Sequence, residues 1–285
     1  MGYYTDIALE SVDKTFQKRE SALDYGFNEA IINIDTLKKE RLYGKPKGEY
    51  YLLDCPNLNL LAPVAYEYAT MQVASYLQYK IKDLTKKDEY KVLVVCLGNE
   101  NVVCDSLGSG VFDKLITTID NSDKAYSLKA VKTNVLAQTG IDSATHTKSI
   151  VELVKPDVVI LVDSLCSKSI YRIGTSIQIT DSGIIAGGAV GLSDRVIDSS
   201  FLKCPTIAIG IPYVVRVNTL VGEVLESLSD DESDTKTING KFGNLIVTPN
   251  DIDALIKLGS NIISGAINMA VLGLDLNEQK MVKIW

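Results

Sequence analysis

Histidine is nearly absent from this chain of 285 residues, with His146 its sole representative. A Ser-His-Asp or Cys-His nucleophile arrangement would have to use that residue. It lies early in a helix-like stretch, Asp142-Ser-Ala-Thr-His-Thr-Lys148, and no serine nucleophile elbow occurs in the chain, so His146 reads as a surface or cap residue. A zinc site with one histidine and no paired cysteines is equally poor, although an all-carboxylate metal site stays open. Cysteine is sparse too: Cys55, Cys96, Cys104, Cys166 and Cys204 are odd in number and contain no C-x-x-C. That spacing argues against a disulfide framework and for a reducing compartment, with thiols serving as small apolar groups. No charged-then-apolar signal layout opens the chain, and no apolar stretch approaches the roughly 18 residues of a membrane span, so a cytoplasmic location without membrane contact is expected. Met1-Gly2 is not a myristoylation start, because Asp6 stands where Ser or Thr is required. Positive charge is in deficit, 29 Lys and Arg against 36 Asp and Glu for a net charge of -7, which argues against direct nucleic-acid binding.

What the chain does have is 46% hydrophobic and 23% charged residues, ordinary for a globular protein large enough to bury a sizeable core. Two continuous apolar runs dominate it. Lys91-Val-Leu-Val-Val-Cys96 and Val158-Val-Ile-Leu-Val162 have the composition of strands buried on both faces of a parallel sheet. Each gives way to polar residues that include an aspartate, Asp105 after the first and Asp163 after the second. Ligand and catalytic groups of open α/β sheets gather at the carboxyl ends of such strands. Two carboxylates meeting in a dry cleft divide the work: one keeps its proton while the other is ionised, which activates water and protonates a leaving amine. Taken singly, each aspartate fits a helix cap better than a catalyst. Their repetition at two strand ends narrows that gap.

The remaining pattern is that of a doubly wound α/β chain. Residues 1–25 are polar and helix-prone, with Thr5 or Asp6 as a candidate N-cap. Strands are expected at Ile31–Asp35, Glu49–Leu53, Thr175–Thr180 and Cys204–Ile211, with a charged loop around Lys38–Arg41 and a solvated acidic loop at Ser227–Asp234. Helical spacing appears over Pro63–Lys86, Ser143–Val154 and Asn250–Leu272, and another helix begins near Gly110. A glycine-rich loop carries Asp181, Gly183, Gly187, Gly188 and Gly191. It matches neither a dinucleotide fingerprint nor a P-loop, so it reads as the wall of an active site whose amides hold a substrate strand or an oxyanion.

Several ordered blocks resemble one family. Leu97-Gly-Asn99-Glu-Asn-Val-Val-Cys-Asp105-Ser-Leu-Gly108, the strand through Asp163, Ser176-Ile-Gln-Ile-Thr-Asp181-Ser-Gly183, Ala208-Ile-Gly-Ile-Pro-Tyr-Val-Val215, Val247-Thr-Pro-Asn-Asp-Ile-Asp253 and Lys45-Pro-Lys-Gly-Glu-Tyr50 are similar to the germination proteases of endospore-forming bacteria. The resemblance implies a single α/β domain, a three-layer α/β/α sandwich around a mostly parallel sheet, with an N-terminal extension and a C-terminal helix. It implies an aspartic-type endopeptidase; no cofactor or metal ligand is expected, with an Asp-nucleophile or metal-bridged route on the same two aspartates as competing chemistries. Its substrates would be small acid-soluble spore proteins in the forespore or spore core, and it would assemble as a homo-oligomer, a tetramer. The family's two essential aspartates fall on Asp105 and Asp163, and Asn99 lies in the same block. The family also makes a zymogen that cuts itself at a site imitating its substrates, Thr/Ser-Glu-Phe/Ile-Ala-Ser/Gly-Glu. Here Thr5-Asp6-Ile7-Ala8-Leu9-Glu10 is similar, which places self-cleavage between Asp6 and Ile7 and makes residues 1–6 a short propeptide. The glycine loop departs from the family pattern, reading Ala186-Gly-Gly-Ala-Val-Gly-Leu192 where Pro-Gly-Ser-Gly-Val-Gly-Asn is usual. Two alternatives accompany this reading: a maturation endopeptidase acting on one partner protein, and a spore-protein binder that has lost catalysis.

Overall fold

The apolar runs of the sequence become the middle of one mixed sheet. The computed structural model describes residues 4–13, 16, 18–56, 58, 63–118, 127–185, 196–228, 242 and 245–282. In chain order the strands are β1 (Arg19–Ala22), β2 (Asn28–Ile34), β3 (Gly48–Asp54), β4 (Lys91–Cys96), β5 (Ser127–Lys132), β6 (Val158–Ser167), β7 (Ser176–Thr180), β8 (Ile184–Ile185), β9 (Val196–Ile197), β10 (Thr206–Arg216) and β11 (Ile246–Val247). The helices are α1 (Leu37–Tyr43), α2 (Pro63–Thr85), α3 (Leu107–Phe112), α4 (Leu136–Thr139), α5 (Ser143–Val154), α6 (Ser199–Leu202), α7 (Val217–Leu228), α8 (Ile252–Leu272) and α9 (Leu276–Val282).

The main sheet runs β1-β2-β3-β7-β10-β6-β4-β5, with β11 joined to β10. Its centre, β5-β4-β6-β10, is parallel, and the wing from β7 to β1 is antiparallel. The turn of direction has a simple cause. Residues 168–175 between β6 and β7 are too few for the crossover of a dozen or more that parallel strands need, so β7 returns antiparallel on the far side of β10.

Both faces of the sheet are covered, as the three-layer expectation requires. One face packs Val92, Val94, Ile160, Val162 and Ile209 against α2, α3 and α8. The other packs Leu93, Val95, Val159 and Leu161 against α5 and α6. Each buried Val, Leu or Ile contributes roughly 1.5–3 kcal/mol. Helix α8 is long and apolar enough to cross a membrane by length and composition, yet 72% of its most apolar window is buried inside the protein, where it serves as the core helix of the first face.

Two local expectations are corrected. Within residues 1–25, read as helix-prone, the described residues form an extended segment, short 3-10 turns at Ala8–Glu10 and from Asp24, and strand β1. The apolar Ile7 and Ala8 are fully buried against the sheet, and that burial outweighs local helix propensity. The charged loop at Lys38–Arg41 is instead α1, begun by Thr36 accepting the Lys39 N–H and ended by left-handed Gly44. The acidic loop expected at 227–234 starts within α7, and its remainder lies outside the described residues.

Candidate active site at the carboxyl edge of the sheet

Strand β6 outruns its neighbour. Pairing with β4 stops at Cys96 against Val162, whereas pairing with β10 continues to Ser167. Asp163 was expected beyond a strand end, but β10 keeps it inside β6, opposite Gly210. It is nevertheless the first residue past the end of β4. Its side chain is buried, 2% exposed, on the face of Leu161 and Leu165, and Oδ1 accepts the Ser164 N–H at 2.9 Å.

Asp105 closes a 3-10 turn, Val103–Asp105, that packs against β6, β10 and α8. The chain reaches this turn through Gly98, at φ +103°. Its Asn99 N–H donates to Asp105 Oδ2 at 2.9 Å and to the Asp105 carbonyl at 3.1 Å. Burial pushes the Asp105 carboxyl up to about 6, against the lowering effect of the Asn99 N–H. Neither aspartate sits at a helix N-cap: α3 has Ser106 at that position and no side-chain cap, and Asp163 lies within β6. The capping alternative therefore falls away for both.

Gly98 fixes this arrangement, since a Cβ there would sit 2.2 Å from the Asp105 carbonyl oxygen. Gly98→Ala is expected to cost about 1–3 kcal/mol from backbone strain and to shift the Asp105 turn. A melting midpoint lowered by several degrees, together with weakened peptide cleavage, is the outcome to look for.

The other sequence candidates divide. Asn99 contributes its backbone N–H, while its side-chain oxygen accepts from Asn101 N and Gln138 Nε2. Asp181 accepts the Glu49 N–H at 2.8 Å and pairs at 3.0 Å with Lys80, which is nearly buried and also held by Glu49 at 2.7 Å. Gly183, at φ +84°, makes a close approach, but to the backbone at Ile197 and Asp198. Gly187, Gly188 and Gly191 lie outside the described residues. Among the described residues no three His, Cys, Asp or Glu side chains gather as a metal site would need.

A cleft of about 540 Å³ opens over Leu165 and Gly210, the neighbours of Asp163 along β6 and across on β10, and its walls also include Gln178, Gly183, Tyr4, Thr5, Asp6 and Glu10. Asp6 is held at both ends: its N–H donates to the Cys166 carbonyl at 2.8 Å, and its Oδ2 accepts the Cys166 N–H at 2.7 Å. The Tyr4 hydroxyl donates to Asp6 Oδ1 at 2.7 Å, and the Arg216 guanidinium stacks 3.9 Å from the centre of the Tyr4 ring. Burial raises the Asp6 carboxyl above the usual range, opposed chiefly by the charge of Lys45, whose ammonium also donates to the Thr5 carbonyl. Ile7 drops into a fully buried site among Ala30, Leu52 and Leu165. Glu10 then returns to the end of β6, where its carboxylate accepts from Ser167 Oγ and from the N–H groups of Lys168 and Ser169 and pairs with Arg172 at 3.3 Å. Gln178 meets the segment from β7, its Nε2 donating to the Asp6 carbonyl at 3.0 Å and its Oε1 accepting the Ala8 N–H at 2.8 Å.

Arg172 and Gln178 were missed in the sequence. Gln178 did leave a signal, because a buried strand reading Ser-Ile-Gln-Ile-Thr has little reason to keep an amide unless something satisfies it.

The sequence profile of the germination protease family matches residues 10–230. A germination protease of Caldanaerobacter subterraneus subsp. tengcongensis is 32% identical over 99% of this chain and 97% of its own length. One from Clostridium perfringens is 30% identical over 94% of each chain, and one from Priestia megaterium 27% identical over 93% of this chain and 90% of its own. Among solved structures, a [NiFe] hydrogenase maturation protease of Thermococcus kodakarensis matches 66% of this chain and 98% of its own, at 15% identity and a TM-score of 0.38. With most of its length matched by the profile and nearly all of it aligned with full-length relatives, the chain belongs to the germination protease family and is an endopeptidase of spore germination.

Proposed function

We propose that Asp105 and Asp163 are the catalytic pair, that small acid-soluble spore proteins are the substrates, and that the chain is a zymogen cutting its own Asp6–Ile7 bond. The observation that supports this most is the docking of Tyr4–Glu10 on the ends of β6 and β7, where Asp6 binds Cys166, Gln178 binds the Asp6 carbonyl and the Ala8 N–H, Ile7 is buried with Leu165 and Glu10 accepts the Lys168 N–H, as a bound substrate strand would be held. Leu165, which touches Ile7, is the next residue after Asp163 on the same face of β6. Of this short propeptide, Tyr4, Thr5 and Asp6 are held by main-chain and side-chain hydrogen bonds.

In this mechanism ionised Asp163 takes a proton from water as the water oxygen bonds to the scissile carbonyl carbon and the C=O electron pair moves onto oxygen. Asp105, whose burial keeps its proton up to about pH 6, donates it to the leaving nitrogen as the C–N bond breaks. A carboxyl group ends the released peptide, and an amine begins the mature chain at Ile7. The substrate's acidic residue before the cut takes the place of Asp6, and its later glutamate the place of Glu10. The homo-oligomer, a tetramer by family resemblance, and the spore-core location complete the proposal.

The test is a peptide containing Thr-Glu-Ile-Ala-Ser-Glu, incubated with purified protein and followed by mass. Cleavage between Glu and Ile supports the reading. An uncut peptide that still binds would favour the non-catalytic binder.

A further inference from the structure

We infer that Gln178 is a further catalytic residue, one that grips the main chain on both sides of the residue following the scissile bond. The inference rests on the reading of Asp6–Ile7 as the bond the cleft cuts. The side-chain amide of Gln178 makes two contacts: Nε2 donates to the Asp6 carbonyl at 3.0 Å, and Oε1 accepts the Ala8 N–H at 2.8 Å. In an extended chain the C=O of one residue and the N–H two residues later point the same way, and a neighbouring antiparallel strand would bind that pair. One glutamine amide replaces that strand. It reads no side chain, so it fixes which peptide bond lies in the cleft whatever residue occupies the Ile7 position.

The Asp6 carbonyl is the group that becomes an oxyanion when water adds, and Nε2–H already points at it. A donor held in place before the reaction stabilises that charge without reorganisation. The amide supplies the donor and the acceptor from one planar group, whereas a carboxylate offers two acceptors and no proton.

The sheet register puts Gln178 in the same row of the sheet as Asp163. Asp163 pairs with Gly210, Gly210 with Gln178, and Gln178 with Leu52, so the four form one row on one face. Two strand spacings set Asp163 and Gln178 about 10 Å apart, with a glycine between them. Gly210 keeps that floor open: a Cβ there would meet the Asp163 carbonyl at 2.4 Å and Leu165 Cγ at 2.7 Å. Gln178 is itself buried, 6% exposed, while its neighbours Ile177 and Ile179 face the opposite core.

The experiment compares the parent protein with Gln178→Glu and Gln178→Met on two peptides, one containing Thr-Glu-Ile-Ala-Ser-Glu and one with the alanine nitrogen methylated. Products are identified by mass and folding is checked by thermal melting. The parent should cut between Glu and Ile. Gln178→Glu, isosteric but without the donor, should lower kcat about 100-fold with KM changed only a few-fold. Methylation should lower kcat/KM about tenfold in the parent and in Gln178→Glu, which keeps the acceptor, and much less in Gln178→Met. A purely structural Gln178 would give the same methylation penalty in every variant. A parent that leaves the Glu–Ile bond intact overturns the underlying reading and this inference with it. A parent that cuts there, with kcat unchanged in Gln178→Glu, overturns the role of Gln178 alone, and that isosteric variant keeps the test in hand if Gln178→Met fails to fold.

Discussion

Asp163→Asn is expected to lower kcat for peptide cleavage by about 10³-fold, within the 10²–10⁴ range that positioned acid–base groups supply. Asparagine keeps the shape of the side chain and a side-chain oxygen for the Ser164 N–H, which Oδ1 now accepts at 2.9 Å. The row of β6, β10 and β7 should therefore survive. What is lost is the carboxylate assigned as the base, opposite a glycine on β10. An amide cannot take a proton from water at neutral pH. A melting midpoint near that of the parent, combined with a kcat about 10³-fold lower, separates loss of chemistry from loss of fold. Full cleavage by a folded Asp163→Asn protein would remove Asp163 from the mechanism.

Asp105→Asn should do something less common for a catalytic substitution: inactivate the protein and stabilise it. Burial lifts the Asp105 carboxyl from 3.8 to about 6, so the folded state holds this proton more tightly than the unfolded chain does. The contribution of Asp105 to stability is accordingly highest below pH 4 and declines as the pH rises through 6, after which the folded state carries a buried negative charge. Two pKa units correspond to at most about 3 kcal/mol. Asparagine removes that cost while keeping an acceptor for the Asn99 N–H. At pH 8 the variant should melt about 5 °C above the parent, and at pH 4 the two should nearly coincide. The parent's own kcat should fall above pH 6 as the proton donor ionises. Equal melting points at pH 8 would mean that Asp105 carries no such burden.

Much of this was legible in the residues, for identifiable reasons. The apolar runs into β4 and β6 were unambiguous because a strand buried on both faces tolerates nothing else. Helix α5 matched its expected limits because Asp142 caps one end and left-handed Lys155 closes the other. The direction of β7 was hidden because composition does not distinguish a parallel from an antiparallel neighbour; only the short connection from β6 decides it. The docking of residues 4–10 was hidden because local propensity speaks for the isolated segment, and Ile7, Ala8 and Glu10 find their partners on β2, β3, β6 and β7. Asp181 looked like an active-site group from its glycine-rich surroundings, yet Lys80, a hundred residues earlier on α2, claims its carboxylate. Pairings at that range leave no local trace.

The most direct test of the account is the intact mass of the purified full-length chain, incubated over time beside its Asp163→Asn counterpart. The account requires the parent to lose residues 1–6 and begin at Ile7, while the variant keeps its starting mass. A parent that stays uncut under conditions where it cleaves the spore-protein peptide, or that begins at any residue other than Ile7, would contradict the claim that this cleft holds its own first substrate.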